Sequence, residues 1–310
     1  MSDFESRATF DSKNIFDPAV LAELGDFRLR ARKLASGLTF GVHASNRRGA
    51  STEFRDHRPW ESGDDPKFID WRVFARTGRL FTRRFVEDTN TNVYFLLDHT
   101  PGMAYRGAGS PLSKWEYAQC LAAALSYLAL QQGDRVAASA FHGSKMVHLR
   151  ANAGDAHWTE TLAFLENPPL DASLENVGTC ADILNRFASE CTRRGTIFIL
   201  SDLLNVGDFS EIRPQLEQLC AARHDIRIFH ILDSDETTFP FESLSEFVSL
   251  DDSRRRLTTN PSDVRQAYLA NFDAWRRDLS EGCRSLGVRF QKVLTTAPLH
   301  RTLWESAENE

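Results

Sequence analysis

The feature that most constrains this chain is an alternation running from Asn92 to about Asp233. Short apolar runs of strand length take turns with alanine- and leucine-rich stretches of helical length. Val93-Tyr94-Phe95-Leu96-Leu97 is a continuous apolar run ending at Asp98, the pattern of a strand covered on both faces. Lys114 to Leu130 reads as a helix that stops before Gly133. Arg135 to Phe141 and Lys145 to Leu149 read as two strands joined through His142-Gly143-Ser144, a link short enough to make the second an antiparallel edge. Thr179 to Glu190 reads as a helix, Thr196 to Ser201 as a buried strand closed by Asp202, Phe209 to Ala221 as a helix and Ile226 to Leu232 as a strand. Beyond these, Pro261 to Leu286 is one long helix with proline in its first turn, where the missing N–H costs nothing, and Val288 to Val293 a last strand. Strands alternating with helices imply a doubly wound α/β fold, a mostly parallel sheet with helices on both faces.

Bulk properties narrow the functional classes. The chain has 310 residues, 42% hydrophobic and 26% charged, the composition of a globular protein long enough for one large core, or for one core plus a smaller satellite domain. Its net charge of −6 gives no general attraction for nucleic acid. The opening Met1-Ser2-Asp3-Phe4-Glu5 lacks the basic start and apolar run of a signal peptide, and no stretch approaches the ~18 apolar residues of a membrane span. The five cysteines are scattered, none in a C-x-x-C pair, so they read as buried thiols in a reducing compartment. The expectation is a cytoplasmic protein without a transmembrane segment. Residues 1–91 are expected to form a helix and a β-rich module, and residues 92–310 the α/β domain.

In open sheets of this kind ligands bind beyond the carboxyl ends of the strands, where the strand order reverses. Asp98-His99-Thr100-Pro101-Gly102-Met103 and Ser201-Asp202-Leu203 follow two such strands, and Gly178-Thr179 opens a helix between them. Carboxylates and hydroxyls on converging loops suit a hard divalent cation, which takes oxygen ligands. Aspartate and threonine after strands also serve as loop formers and helix caps, and Thr179 reads equally well as the N-cap of its helix.

The first of these loops resembles the D-x-S-x-S signature of the metal-ion-dependent adhesion site in von Willebrand factor type A domains. Position by position, Asp98, Thr100, Thr179 and Asp202 match that site. Gly102 stands where the second serine would be, so the resemblance implies a Mg²⁺ site weakened by one lost hydroxyl. In such domains the cation keeps an open position for an acidic residue of a partner.

A second, longer string lies upstream: Glu53-Phe54-Arg55-Asp56-His57-Arg58-Pro59-Trp60-Glu61-Ser62-Gly63-Asp64-Asp65-Pro66-Lys67-Phe68-Ile69-Asp70-Trp71, then Ala75-Arg76. It resembles the R-G-x-G-x-E-F-x-D-x-R-x-Y-x-x-G-D-D-x-R-x-I-D-W…A-R motif of the bacterial family called Domain of Unknown Function 58, which joins this segment to a von Willebrand type A-like domain. The likeness spans roughly residues 25 to 295. Ala50-Ser51 interrupts the glycine pattern, Trp60 replaces tyrosine, and Lys67 replaces arginine, losing a bidentate contact. Genes of the family commonly sit beside those of MoxR-type AAA+ ATPases, so the resemblance implies such a partner, with its client, and an adaptor or chaperone-like role. Within the string, Glu53, Arg55, Asp56, Arg58, Asp64, Asp65, Asp70, Trp71 and Arg76 read either as a structural network of ion pairs and aromatics or as a contact surface. The acids would repel phosphate and argue against a nucleic-acid surface.

No P-loop, H-E-x-x-H or G-x-S-x-G pattern is present. The enzymatic alternative is a Mg²⁺-dependent hydrolase or phosphatase using Asp98 and Asp202. Against it, no lysine is evident on a neighbouring strand end to steady a phosphoryl group. A non-enzymatic protein-binding module is the expected class.

Overall fold

The structure, a computed structural model, describes residues 15–42, 50–59, 73, 76, 77, 79, 81–86, 91–170, 178–250 and 254–308. Contacts divide the chain into two units, Met1–Gly41 with Thr91–Glu310, and Val42–Asn90.

In the larger unit six strands form one sheet: β3 (Asn92–Asp98), β4 (Arg135–His142), β5 (Lys145–Asn152), β6 (Gly195–Ser201), β7 (Asp225–Leu232) and β10 (Arg289–Leu294), in the order β10-β7-β6-β3-β4-β5. All neighbours are parallel except β4 and β5, which form the expected hairpin through Gly143 at φ 56°. The chain leaves β3 for β4 on one side and later returns to place β6 on the other. The order therefore reverses between β3 and β6.

Alternation along each buried strand sorts its side chains onto two cores. Val93, Phe95 and Leu97 of β3, with Phe198 and Leu200 of β6, face helices α1 (Pro18–Glu23), α2 (Phe27–Val42), α3 (Lys114–Gln131) and α4 (Asp155–Glu166), joined by Leu299 and Leu303 of α9 (Leu299–Glu308). Tyr94 and Leu96, with Ile197 and Ile199, face α5 (Cys180–Glu190), α6 (Arg213–Ala221) and α8 (Pro261–Ser285). The fold is doubly wound α/β, consistent with the von Willebrand factor type A type. Among the described residues no helix is long and apolar enough to cross a membrane.

Several elements differ from the sequence expectation. The helix expected over Phe209 to Ala221 is split, because Pro214 lacks an N–H and sits at the start of α6 behind a 3-10 turn at Phe209–Glu211. Helices α4 and α9 were not anticipated. Nor were the short helix α7 (Ser234–Thr238) and the hairpin of β8 (Ser245–Val248) and β9 (Arg256–Thr259), which lie between the strand ending at Leu232 and the long helix. The division at residue 91 differs too. Leu21, Phe27, Ala31 and Leu34 of the amino-terminal helices, with Phe16 just before them, are buried in the core that covers β3, so the helices belong with the sheet.

The smaller unit contains an antiparallel pair, β1 (Ala50–Pro59) with β2 (Phe81–Val86), in register from Pro59↔Phe81 to Phe54↔Phe85 with an irregularity between Phe54 and Asp56. Glu53, Arg55, Asp56 and Arg58 lie on β1, and their side chains are outside the described residues, as are Asp64, Asp65, Asp70 and Trp71 altogether. Arg76 is exposed.

Candidate functional site

The site is built at the carboxyl end of the sheet from three neighbouring strands that each run into an aspartate: β3 into Asp98, β6 into Asp202 and β7 into Asp233. Asp98 and Asp202 flank the point where the strand order reverses. Both are buried, 2% and 1% exposed. The Asp98 carboxylate accepts the Ser201 hydroxyl at 2.6 Å on Oδ2 and the Thr100 amide at 2.9 Å on Oδ1. Ser201 in turn accepts the Leu203 amide at 2.9 Å. Burial, then the nearby charge of Asp202, raises the Asp98 carboxyl to about 6, against the opposing effect of the Ser201 and Thr100 hydrogen bonds.

Asp202 is held differently. Its Oδ1 accepts the Leu204 amide at 3.1 Å, and its Oδ2 accepts the ammonium of Lys114 at 2.6 Å. The same ammonium donates to Glu236 Oε1, also at 2.6 Å, and the Lys114 side chain is 1% exposed. Burial acts to lower the Lys114 pKa, but the charges of Asp202 and Glu236 outweigh it and hold the group above its ordinary value, so the lysine is charged. Glu236 is anchored through its Oε2, which accepts the Asp233 amide at 2.8 Å in the capping box of α7. Asp233 accepts the Gly107 amide at 2.9 Å, and Tyr105 donates to Asp235 at 3.0 Å. A Cβ at Gly107 would collide with the Asp233 and Asp235 carboxylates, so this approach requires glycine. Beneath the cluster His230 donates from Nε2 to the Asp202 carbonyl at 2.9 Å, and burial lowers its pKa to about 4, leaving it neutral.

The four residues implied by the adhesion-site resemblance are not assembled equally. Asp98, Thr100 and Asp202 converge. A Cβ at Gly102 would stand 3.1 Å from Asp202 Oδ2 and 4.0 Å from Thr100 Oγ1, so position 102 borders the same small volume. Thr179 is exposed and committed elsewhere. Its hydroxyl donates to Asp182 Oδ2 at 2.7 Å and accepts the Asp182 amide at 3.2 Å, the reciprocal cap of α5. The helix-cap reading of this residue describes its contacts. His99 packs edge-on against Trp115, with ring centres 4.4 Å apart.

These residues do not fit a divalent cation as they stand. Both oxygens of Asp98 and both of Asp202 already have donors within the chain, and the donor on Asp202 Oδ2 is itself a cation. Among the described residues no group of three or more histidine, cysteine or acidic side chains is disposed to hold a metal.

Sequence reasoning missed Lys114, Glu236 and Ser201, and the lysine not evident at a neighbouring strand end is supplied beside Asp202 by the start of α3. A signal for Lys114 was available: it occupies the first position of α3, after the Ser113 N-cap, where the helix dipole disfavours positive charge. Asp233 was visible as the third strand-end acid.

Residues 56–278 match the family described as "Protein of unknown function DUF58". The chain belongs to the DUF58 family. Among DUF58 relatives, the uncharacterized proteins Rv1480 of Mycobacterium tuberculosis and Mb1516 of Mycobacterium bovis are each 27% identical over 285 residues, 91% of this chain and 87% of theirs. Among solved structures, an aerotolerance-related membrane protein from Bacteroides fragilis is 14% identical with a TM-score of 0.46, covering 71% of this chain and 100% of its own. An uncharacterized membrane spanning protein from Vibrio fischeri is 13% identical with a TM-score of 0.23 over 70% of this DUF58 chain and 96% of its own.

Proposed function

We propose that this chain is a non-catalytic protein-binding module, an adaptor or chaperone-like accessory factor for a MoxR-type AAA+ ATPase in the cytoplasm. The identity of the partner rests on the family resemblance alone. The observation that carries the binding reading over a hydrolase is the Lys114 ammonium, 2.6 Å from both Asp202 and Glu236 in a buried cluster. A hydrolase using Asp98 and Asp202 needs carboxylate oxygens free to hold a metal and a path for substrate to reach them, and both side chains are buried. Here the acids serve as cross-links among the loops after β3, β6 and β7.

A cluster so fully satisfied makes the loops above it rigid, which lowers the entropic cost of docking a partner. The loop after β6 is shaped accordingly. Leu203 adopts a left-handed conformation, φ 54°, with its side chain buried, and the next residue, Leu204, projects outward with 48% of its surface exposed. A partner meets Leu204 on this face, while Asp98 and Asp202 support the surface from beneath.

The test uses the full chain and a MoxR-type ATPase from the same organism, where its genome encodes one. Gel filtration and calorimetry should show a complex that survives a chelator and is weakened by about tenfold or more in Leu204→Asp, the loss of ~1.4 kcal/mol of contact energy. Mg²⁺-dependent turnover of a generic phosphate ester, abolished by Asp98→Asn, would overturn the reading in favour of the hydrolase. Failure to recover any complex with the ATPase would remove the partner.

A further inference from the structure

We infer that Lys114 is a resident counter-ion, tethered by the chain in the position where a divalent cation would otherwise sit, and that it closes this site to metals. The inference concerns the site itself and stands whether or not the upper face binds a partner.

The geometry argues it in three steps. A cation at the end of this sheet needs an oxygen of Asp202 together with the hydroxyl at Thr100 and the space beside position 102. Asp202 Oδ2 is the oxygen that faces that space, because a Cβ on Gly102 would lie 3.1 Å from it. That same oxygen receives the Lys114 ammonium at 2.6 Å, a charge-assisted hydrogen bond of full strength. An ammonium and a divalent ion cannot share the oxygen, since two positive charges a few ångströms apart in a dry site repel strongly.

The lysine is also built to stay. Its side chain is 1% exposed, and its backbone amide donates to the Tyr105 carbonyl at 3.1 Å at the start of α3. Glu236, the second acceptor, is fixed by the Asp233 amide and by Tyr268, whose hydroxyl donates to the Glu236 carbonyl at 3.0 Å. A loosely held surface lysine would be displaced by metal; this one has two carboxylates positioned for it and no exit to water. Thr179, the remaining ligand of the adhesion-site pattern, is correspondingly released to cap its helix. Loss of the hydroxyl at Gly102 fits the same account, because an ammonium needs fewer oxygen partners than a divalent ion.

The experiment reads metal binding directly, on the full chain. Mn²⁺ is titrated into wild type, followed by the electron paramagnetic resonance signal of the free ion and by the unfolding temperature. Wild type should leave Mn²⁺ free and unfold at the same temperature with Mn²⁺, Mg²⁺ or chelator. Lys114→Met, which keeps the length and removes the charge, strands Asp202 and Glu236 and should unfold at a lower temperature without metal. Adding Mn²⁺ should then raise its unfolding temperature by about 3 °C or more, an effect lost when Asp202→Asn is added. Because the stranded acids could prevent folding, Lys114→Met/Glu236→Gln is made alongside. It removes one of the two excess charges and should show the same Mn²⁺ response. Mn²⁺ taken up by wild type and released by Asp202→Asn would overturn the inference. So would folded lysine variants, single or double, that ignore the metal.

Discussion

At the residue scale the chain shows one side-chain type in opposed roles, decided by what each finds when the fold closes. Asp202 is neutralised by an ammonium, Asp98 is held by a hydroxyl and an amide, and Asp134 is buried with, among the described residues, only the Thr91 amide, at 3.0 Å, on its carboxylate. Burial raises Asp134 to about 6 from an ordinary 3.8. A carboxyl raised in the native state keeps its proton to a higher pH than in the unfolded chain, so its effect is to lower stability as pH rises from about 4 to 6, and the loss persists above. Asp134→Asn keeps an acceptor for Thr91 and removes this charge. The variant should be more stable than wild type at pH 7, by on the order of 1 kcal/mol, with the gain vanishing near pH 4. Urea denaturation at both pH values measures it, and an equal gain at each would refute the assignment. Thr179 gives a contrasting test. If it is a cap, Thr179→Ala should cost about 1 kcal/mol and leave the response to Mg²⁺ and Mn²⁺ as in wild type.

At the element scale, α8 is placed by one face. Trp275 donates from its indole to the Val206 carbonyl at 2.9 Å, Asp278 accepts the Phe209 amide at 2.9 Å, and Gly282 lies under the Phe209 ring. Residues 275, 278 and 282 fall on one side of a helix, and all three meet the segment that follows β6. That segment carries Asp202 and Leu204, so the long helix braces the loop of the candidate site. A methyl group at position 282 would overlap the Phe209 ring at Cγ and both Cδ atoms, so the ring or the 3-10 turn that carries it must shift. Gly282→Ala should destabilise the protein by about 1–3 kcal/mol, although alanine is the better helix former, and should lower the urea midpoint without changing its slope. A stabilised variant would show that the helix does not lie so close.

At the scale of the whole molecule, stability is concentrated where the sheet is covered on both faces. β3 is buried along its full length, and β6 and β7 nearly so. The β8–β9 hairpin has two strands of four residues, with Val248 and Leu257 exposed. Two-stranded ribbons of this size are marginal alone. Amide exchange should be slowest in β3, β6 and β7 and approach the rate of free peptide in β8 and β9. Protection of the hairpin equal to that of β3 would mean that it is stabilised by packing beyond these contacts.

Local pattern alone determined the sheet. Continuous apolar runs such as 93–97 and 197–200 have no stable place except a strand buried on both sides, and the residues between them have the period and caps of helices. The same logic placed Asp98 and Asp202 at the ends of strands. It did not bring out α4 and α9, nor the membership of the amino-terminal helices. Only tertiary structure decided what the aspartates bond to. Thr179 and Lys114 are each at the start of a helix in sequence, where a cap is legible for the one and an unfavourable charge for the other, but nothing local names the carboxylates that receive the lysine. The difference arises because the chain returns to the sheet after β7 and lays Glu236 beside Asp202, 122 positions after Lys114. The energy of an ion cluster depends on distances set by the closed fold, and those distances are not written in the neighbourhood of any one of its members.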